Sequence, residues 1–168
     1  MKTLDTQNKN SSPIPIFITL FAFLLLSPVS TALAVQVPTD HSAKMSSFSL
    51  STQKWKNRVL LIFAPSSQSQ AYQQQMRLFA QHKPGFSERD LVVVRVLTEG
   101  TSYAEGQQID EASATRLRDR FGIGKGDFRV ILVGKDGGTK RRDGNPIQAS
   151  AIFNEIDAMP MRRQEMRR

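Results

Sequence analysis

Hydrophobic positions along the chain follow two rhythms. Residues 58–64, RVLLIFA, form a short unbroken apolar run, the pattern of a strand buried on both faces. Between Gln68 and His82 the rhythm changes. Tyr72, Met76 and Phe79 fall at i, i+4 and i+7, which is one face of a helix, and Pro84-Gly85 is expected to stop it. Residues 89–98, RDLVVVRVLT, are rich in Val, whose branched Cβ is stiff in a helix and comfortable in a strand. A glycine-bearing loop follows through Gly106. Asp110 then suits the cap of a helix presenting Ala114, Leu117 and Phe121 on one side, with Gly122 as its stop. Residues 128–134, FRVILVG, read as a third strand. Asp136-Gly137-Gly138 is a hairpin signal that returns the chain as a fourth strand, TKRR. Asn145 and Pro146 suit the cap and first turn of a last helix, whose apolar face is Ala149, Ile152, Phe153 and Ile156. Pro160 is expected to break it, leaving MRRQEMRR as a basic turn or tail.

The order is thus strand, helix, strand, helix, strand, strand, helix. Strands separated by helices favour parallel pairing, and the tight turn forces the last pair antiparallel. An α/β fold with a mixed four-stranded sheet and helices on both faces satisfies both constraints. That topology is thioredoxin-like. It places the turn Ala64-Pro65-Ser66-Ser67-Gln68 where a thioredoxin holds its two cysteines, yet the chain contains no cysteine.

The ends change the picture. Lys2 and Lys9 precede IPIFITLFAFLLL (residues 14–26), and SPVSTALA follows, ending Ala32-Leu33-Ala34. A charged start, an apolar centre and a small-x-small site describe a signal peptide, residues 1–34, cleaved after Ala34. The alternative is an uncleaved signal anchor. A spanning helix needs about 20 predominantly apolar residues, and Ser27-Pro28 and Ser30-Thr31 interrupt this stretch first. Residues 35–52 are polar and Ser/Thr-rich and read as a linker, with Phe48 and Leu50 docking at its end. The thioredoxin-like domain then occupies residues 53–168. Loss of residues 1–34 removes two Lys and one Asp, taking the formal charge from the whole chain's +8 to +7. The expected product is a periplasmic or extracellular protein with no stable membrane insertion, held together by its core alone, since there is no cysteine to form a disulfide.

The stretches LLIFAPS, RDLVVV, LVGKDGG with KRR after it, and IDAMPMRRQEMR together resemble a secreted, thioredoxin-like domain of unknown function. Single-domain forms of it occur in exported bacterial proteins. It is similar to the domain of sushi-repeat-containing proteins and of coiled-coil-domain-containing protein 80, which are matrix-associated. The resemblance spans residues 55–168. It implies a peroxiredoxin- or thioredoxin-related fold, an extracellular setting and no established catalytic residues.

Thiol–disulfide exchange needs a thiolate, so redox catalysis by this chain alone is excluded. Ser66 and Ser67 are instead expected to cap the first helix, with Pro65 pre-setting the turn. No proline lies between Phe121 and Val130, where a thioredoxin keeps its cis-proline, so the peptide-binding edge is expected to be altered too. Serine hydrolysis would need His41 or His82 as base, and neither has a nucleophile elbow nearby. Two distant histidines offer no zinc pattern. Asp136 and Asp143 are separated by three cations that would repel calcium. GIGKGDF precedes a strand, the reverse of a phosphate loop's order. No catalytic residue, metal or cofactor is therefore assigned.

What remains is charge. Lys140, Arg141 and Arg142 sit together on the fourth strand, Arg162, Arg163, Arg167 and Arg168 end the chain, and Lys125 and Arg129 lie near the third strand. Arginine suits bidentate binding of carboxylate, sulfate or phosphate. The same charges also serve as solvated surface that blunts an edge strand. The first expectation is a non-catalytic binding domain whose partner is a protein or an anionic polymer of the cell envelope. Nucleic acid is not expected, because the chain is exported and aromatics do not interleave with the basic clusters. The alternative is an envelope enzyme or redox-associated protein that uses the Ala64–Gln68 turn with thiols supplied by a partner.

Overall fold

The apolar run at residues 58–64 becomes the middle of the sheet. In the computed structural model, which describes residues 45–167, it lies within β1 (Arg58–Ser66). The Val-rich run becomes β2 (Leu91–Glu99) and pairs parallel with β1. The third run becomes β5 (Arg129–Val133) and the returning segment β6 (Thr139–Asp143). β5 pairs antiparallel with both β1 and β6. This is the expected thioredoxin-like core.

The sheet has six strands rather than the expected four, in the order β4-β3-β2-β1-β5-β6. The additional pair is a small hairpin, β3 (Tyr103–Ala104) and β4 (Gln107–Gln108), placed antiparallel on β2. Glu105 (φ 50°) and Gly106 (φ 84°) between them are both left-handed, as the tightest hairpin turn requires. Two-residue strands of Tyr, Ala and Gln carry no apolar alternation, so the periodicity is silent there.

Alternate residues of β1 feed two cores, as strand geometry demands. Val59, Leu61 and Phe63 pack with Val94, Val96, Ile131 and Val133 beneath α4 (Glu111–Phe121). Leu60, Ile62 and Ala64 face α2 (Gln70–Phe79), α3 (Lys83–Glu88) and α5 (Ala149–Asp157). Phe48 and Leu50 dock against the α4 side, as expected for the end of the linker, and Leu50 opens a short α1 (Leu50–Gln53). The signal-peptide reading of residues 1–34 and most of the 35–52 linker lie outside the described residues.

Three helix boundaries differ from expectation, each for a local reason. Pro84 does not end a helix. It sits in the first turn of α3, where its missing N–H has no intrahelical partner to lose. Pro160 likewise opens α6 (Pro160–Glu165), so the basic tail is partly helical. The last long helix starts at Ala149 and not at Asn145-Pro146. There the fully buried side chain of Gln75 accepts from the Ile147 N–H at 2.8 Å and donates to the Ile147 carbonyl at 2.9 Å. That pair of bonds engages both backbone groups of Ile147 outside a helix, and the extended Gln148 (φ −67°, ψ 144°) caps the helix that follows.

Candidate functional site

In the turn after β1, Ser66 is already committed to local bonds. Ser66 ends the strand instead of capping α2. Its Oγ accepts from the Gln68 N–H at 3.3 Å, and its carbonyl accepts from the Ser69 hydroxyl at 2.9 Å. Ser67 is exposed. The N-cap of α2 is Ser69, which makes no side-chain bond to the helix. The expected capping role of Ser66 and Ser67 is therefore corrected: β1 runs further than the apolar run, through Pro65 and Ser66, and α2 starts two residues later than expected. No cis peptide bond occurs among the described residues. Two cavities, of about 450 and 330 Å³, are lined by other parts of the chain and include no residue of the turn.

The structure separates the basic residues that the sequence groups. Arg141 lies opposite Leu132, and Arg142 opposite Ile131, on β5. Leu132 and Ile131 face different cores, so these two arginines point to opposite sides of the sheet. Arg141 meets Asp143 at 2.9 Å and Glu155 of α5 at 3.8 Å. Lys140 falls at the β-bulge and binds Asp136 at 2.6 Å. Arg162 is buried, only 6% exposed, and is removed from any surface patch. Arg163 and Arg167 are exposed, and the side chain of Arg168 is outside the described residues. Arg141 and Arg142 therefore do not share a face, and Arg162 is no part of the continuous surface expected from residues 140–142 and 162–168.

A different grouping appears at the end of the sheet that carries the turn. Arg129 pairs with Phe63 of β1 and lies on the α4 side, one diagonal step from Arg142. Gly144 leaves room for its guanidinium, since a Cβ there would sit 3.0 Å from Nη1. Arg142 donates to the carbonyl of Phe121 at 2.9 Å, where α4 ends on the left-handed Gly122. Arg120 stands over the Phe121 ring at 5.7 Å. None of the three has an ion pair among the described residues. Of the nearby carboxylates, Asp143 is engaged with Arg141 and Asp127 with the Gly124 N–H at 3.0 Å. Lys125 lies on the loop at this same end, where its carbonyl accepts from Thr98 at 2.9 Å. Arg120 was missed in the sequence. Its signal was the arginine-rich last turn of a helix ending at glycine.

A second charged assembly lies at the opposite end, and it is internally paired. Glu165 of α6 receives both terminal nitrogens of Arg58 at 3.2 Å and Lys135 at 2.8 Å. Lys135 also reaches Asp90 at 2.7 Å. Asp157 receives Arg89 at 2.6 and 3.0 Å and Arg162 at 3.2 Å, and Arg162 continues to Glu88 at 2.8 Å. Burial pushes the carboxyls of Asp157 and Glu165 upward, but hydrogen bonds and charge from their cations outweigh it and leave both below the ordinary range. The Asp157 hydrogen bond, outweighing burial, raises Arg89. These groups come from stretches up to 107 positions apart in sequence, which bolts α6 across the start of β1 and β2. Among the described residues no group of three or more His, Cys, Asp or Glu side chains is placed to hold a metal, and no helix is long and apolar enough to cross a membrane.

Residues 49–165 match the family described as Domain of unknown function (DUF4174). The chain belongs to this family. The bolted stretches RDLVVV and LVGKDGG fall inside the DUF4174 match, as does IDAMPMRRQEMR as far as Glu165. The chain is 29% identical over 133 residues to coiled-coil domain-containing protein 80 of Danio rerio, matching 70% of this chain and 15% of that protein. It is 29% identical over 114 residues to the sushi repeat-containing protein SRPX of Homo sapiens, 66% of this chain and 25% of that one. The chain thus spans a quarter or less of these relatives' lengths. Among solved structures, a thioredoxin peroxidase I of Plasmodium yoelii superposes with a TM-score of 0.52 at 16% identity, covering 70% of this chain and 80% of that one. That likeness speaks to the thioredoxin-like fold.

Proposed function

We propose that this DUF4174 domain is an exported, non-catalytic binding module, and that Arg120, Arg129 and Arg142 take an anionic polymer at the turn end of the sheet. The observation that carries the reading is the contrast between the two charged ends. At one end Arg58, Arg89 and Arg162 are each consumed by carboxylates of the fold. At the other, Arg120, Arg129 and Arg142 have none among the described residues, Arg120 and Arg142 being exposed and Arg129 half-buried, and guanidinium groups suit bidentate contact with sulfate, phosphate or carboxylate. The non-catalytic part is supported by the absence of cysteine and by a turn in which Ser66 is spent on local bonds and which lines neither cavity. Export is supported by the signal-like residues 1–34.

The test is retention of residues 35–168 on a sulfated resin across a salt gradient. The double variant Arg129→Gln/Arg142→Gln should elute at clearly lower salt than the parent, because screening shortens from about 10 Å at 0.1 M to about 3 Å at 1 M. A double variant of the exposed Arg77 and Arg163 to Gln should elute close to the parent. Equal loss in both variants would reduce the effect to net charge and reject the site.

A further inference from the structure

The α2–α3 side of the sheet holds a cavity of about 450 Å³ that the anion-binding reading does not use. That volume lies in the range of pockets that enclose small organic ligands, roughly 300–1,000 Å³. We propose that it binds a small amphipathic anion, an apolar chain or ring bearing one carboxylate, with the apolar part on the sheet and the head group between Arg95 and Lys83.

The cavity follows from the hairpin the sequence did not announce. Leu91, Val93 and Arg95 are alternate residues of β2 and share one face. α2 and α3 cover the inner part of that face, with Met76, Phe79 and Phe86 forming an apolar wall. β3 and β4 carry the sheet outward beyond it, so Val93 and Arg95 stay half-buried at the floor of an open groove. An apolar floor of this kind, left uncovered by the fold, is a favourable place for an apolar ligand.

Charge at the rim selects the head group. Arg95 is paired across the strands with Tyr103, and its guanidinium stacks on that ring at 4.7 Å. The stack orients the guanidinium. Arg95 has no hydrogen bond or ion pair to any described residue, and Lys83, on the other wall, has no ion pair either. Glu105 is the one carboxylate on the rim, carried on the left-handed turn residue at φ 50°, and it pairs with neither cation. Two cations against one carboxylate favour an anion. A cation of the same length would meet Arg95 and Lys83 unfavourably.

Isothermal titration of residues 35–168 with decanoate, below its micelle-forming concentration, tests the assignment against decylamine, which has the same chain and the opposite charge. The expected result is saturable one-to-one binding of decanoate and much weaker binding of decylamine. Arg95→Gln should weaken decanoate about tenfold, the low end of a charged hydrogen bond's contribution. Val93→Phe, which fills the floor, should abolish binding of both probes, and a far-UV spectrum checks that each variant folds. Arg129→Gln/Arg142→Gln should bind decanoate like the parent, which separates this site from the polyanion site. Absence of saturation, equal affinity for both probes, or an unchanged affinity in folded Arg95→Gln would overturn the proposal.

Discussion

Replacing Arg162 by alanine should destabilise the domain severely, although in sequence Arg162 is one of four arginines in a basic tail. Its guanidinium donates to Glu88 Oε1 at 2.8 Å, to the Glu88 carbonyl at 2.9 Å and to Asp157 Oδ1 at 3.2 Å. Removing one partner of a hydrogen bond to a charged group costs about 1.5–3 kcal/mol. Two such carboxylates and one carbonyl are affected here. The losses do not simply add, because Asp157 keeps Arg89 at 2.6 Å, and Glu88 is largely exposed so that water replaces part of what it loses. A net loss of about 2–4 kcal/mol follows, or roughly 8–15 °C in melting temperature for a domain of this size. Urea unfolding of residues 35–168 measures it directly, with Arg163→Ala as the neighbouring control, expected within about 0.5 kcal/mol of the parent. Arg162→Lys keeps the charge but loses the fork, and should fall between. A loss for Arg162→Ala no larger than that for Arg163→Ala would refute the assignment of Arg162 to the fold.

Ser66→Ala and Ser67→Ala should each change stability by less than about 0.5 kcal/mol, whereas Asp110→Ala, which removes the 2.6 Å cap on the Ser113 N–H, should lower the melting temperature measurably; thermal melts of the three variants decide this. Stability should also be lost on acidification. Asp157 and Glu165 have folded-state values depressed below their unfolded ones, so their contribution is complete above the ordinary carboxylate range, near pH 4, and disappears as pH falls through the depressed values. Urea midpoints from pH 7 to pH 2 should therefore be flat and then fall, with a shallower fall in Glu165→Gln; a rise on acidification would contradict the network.

The strands and α4 were legible because their residues state their own case. A run such as VLLIFA has no amphipathic alternative, and Asp110 and Gly122 mark both ends of α4 with chemistry that only caps use. The prolines were ambiguous for a physical reason. Pro84 and Pro160 are incompatible with a helix interior but well suited to a first turn, and periodicity does not say which side of the proline the helix occupies. Arg141 and Arg142 show the limit for the candidate site. Neighbours in sequence are opposite in space on a strand, so a basic run is not a basic face. Arg162, Arg58 and Gln75 were beyond reach, since each has a partner 72 to 107 positions away and nothing local distinguishes a buried, paired arginine from a solvated one.

The end of the sheet around Phe121 is proposed to receive an anion. Backbone amide shifts of isotope-labelled residues 35–168, followed while a sulfated oligosaccharide is added at low salt, test it most directly. The predicted result is a contiguous set of saturating shifts at residues 120–130 and 142–144, suppressed at 1 M salt and absent in Arg129→Gln/Arg142→Gln. Shifts centred instead on Lys140, Arg163 and Arg167, or scattered without saturation, would contradict the account.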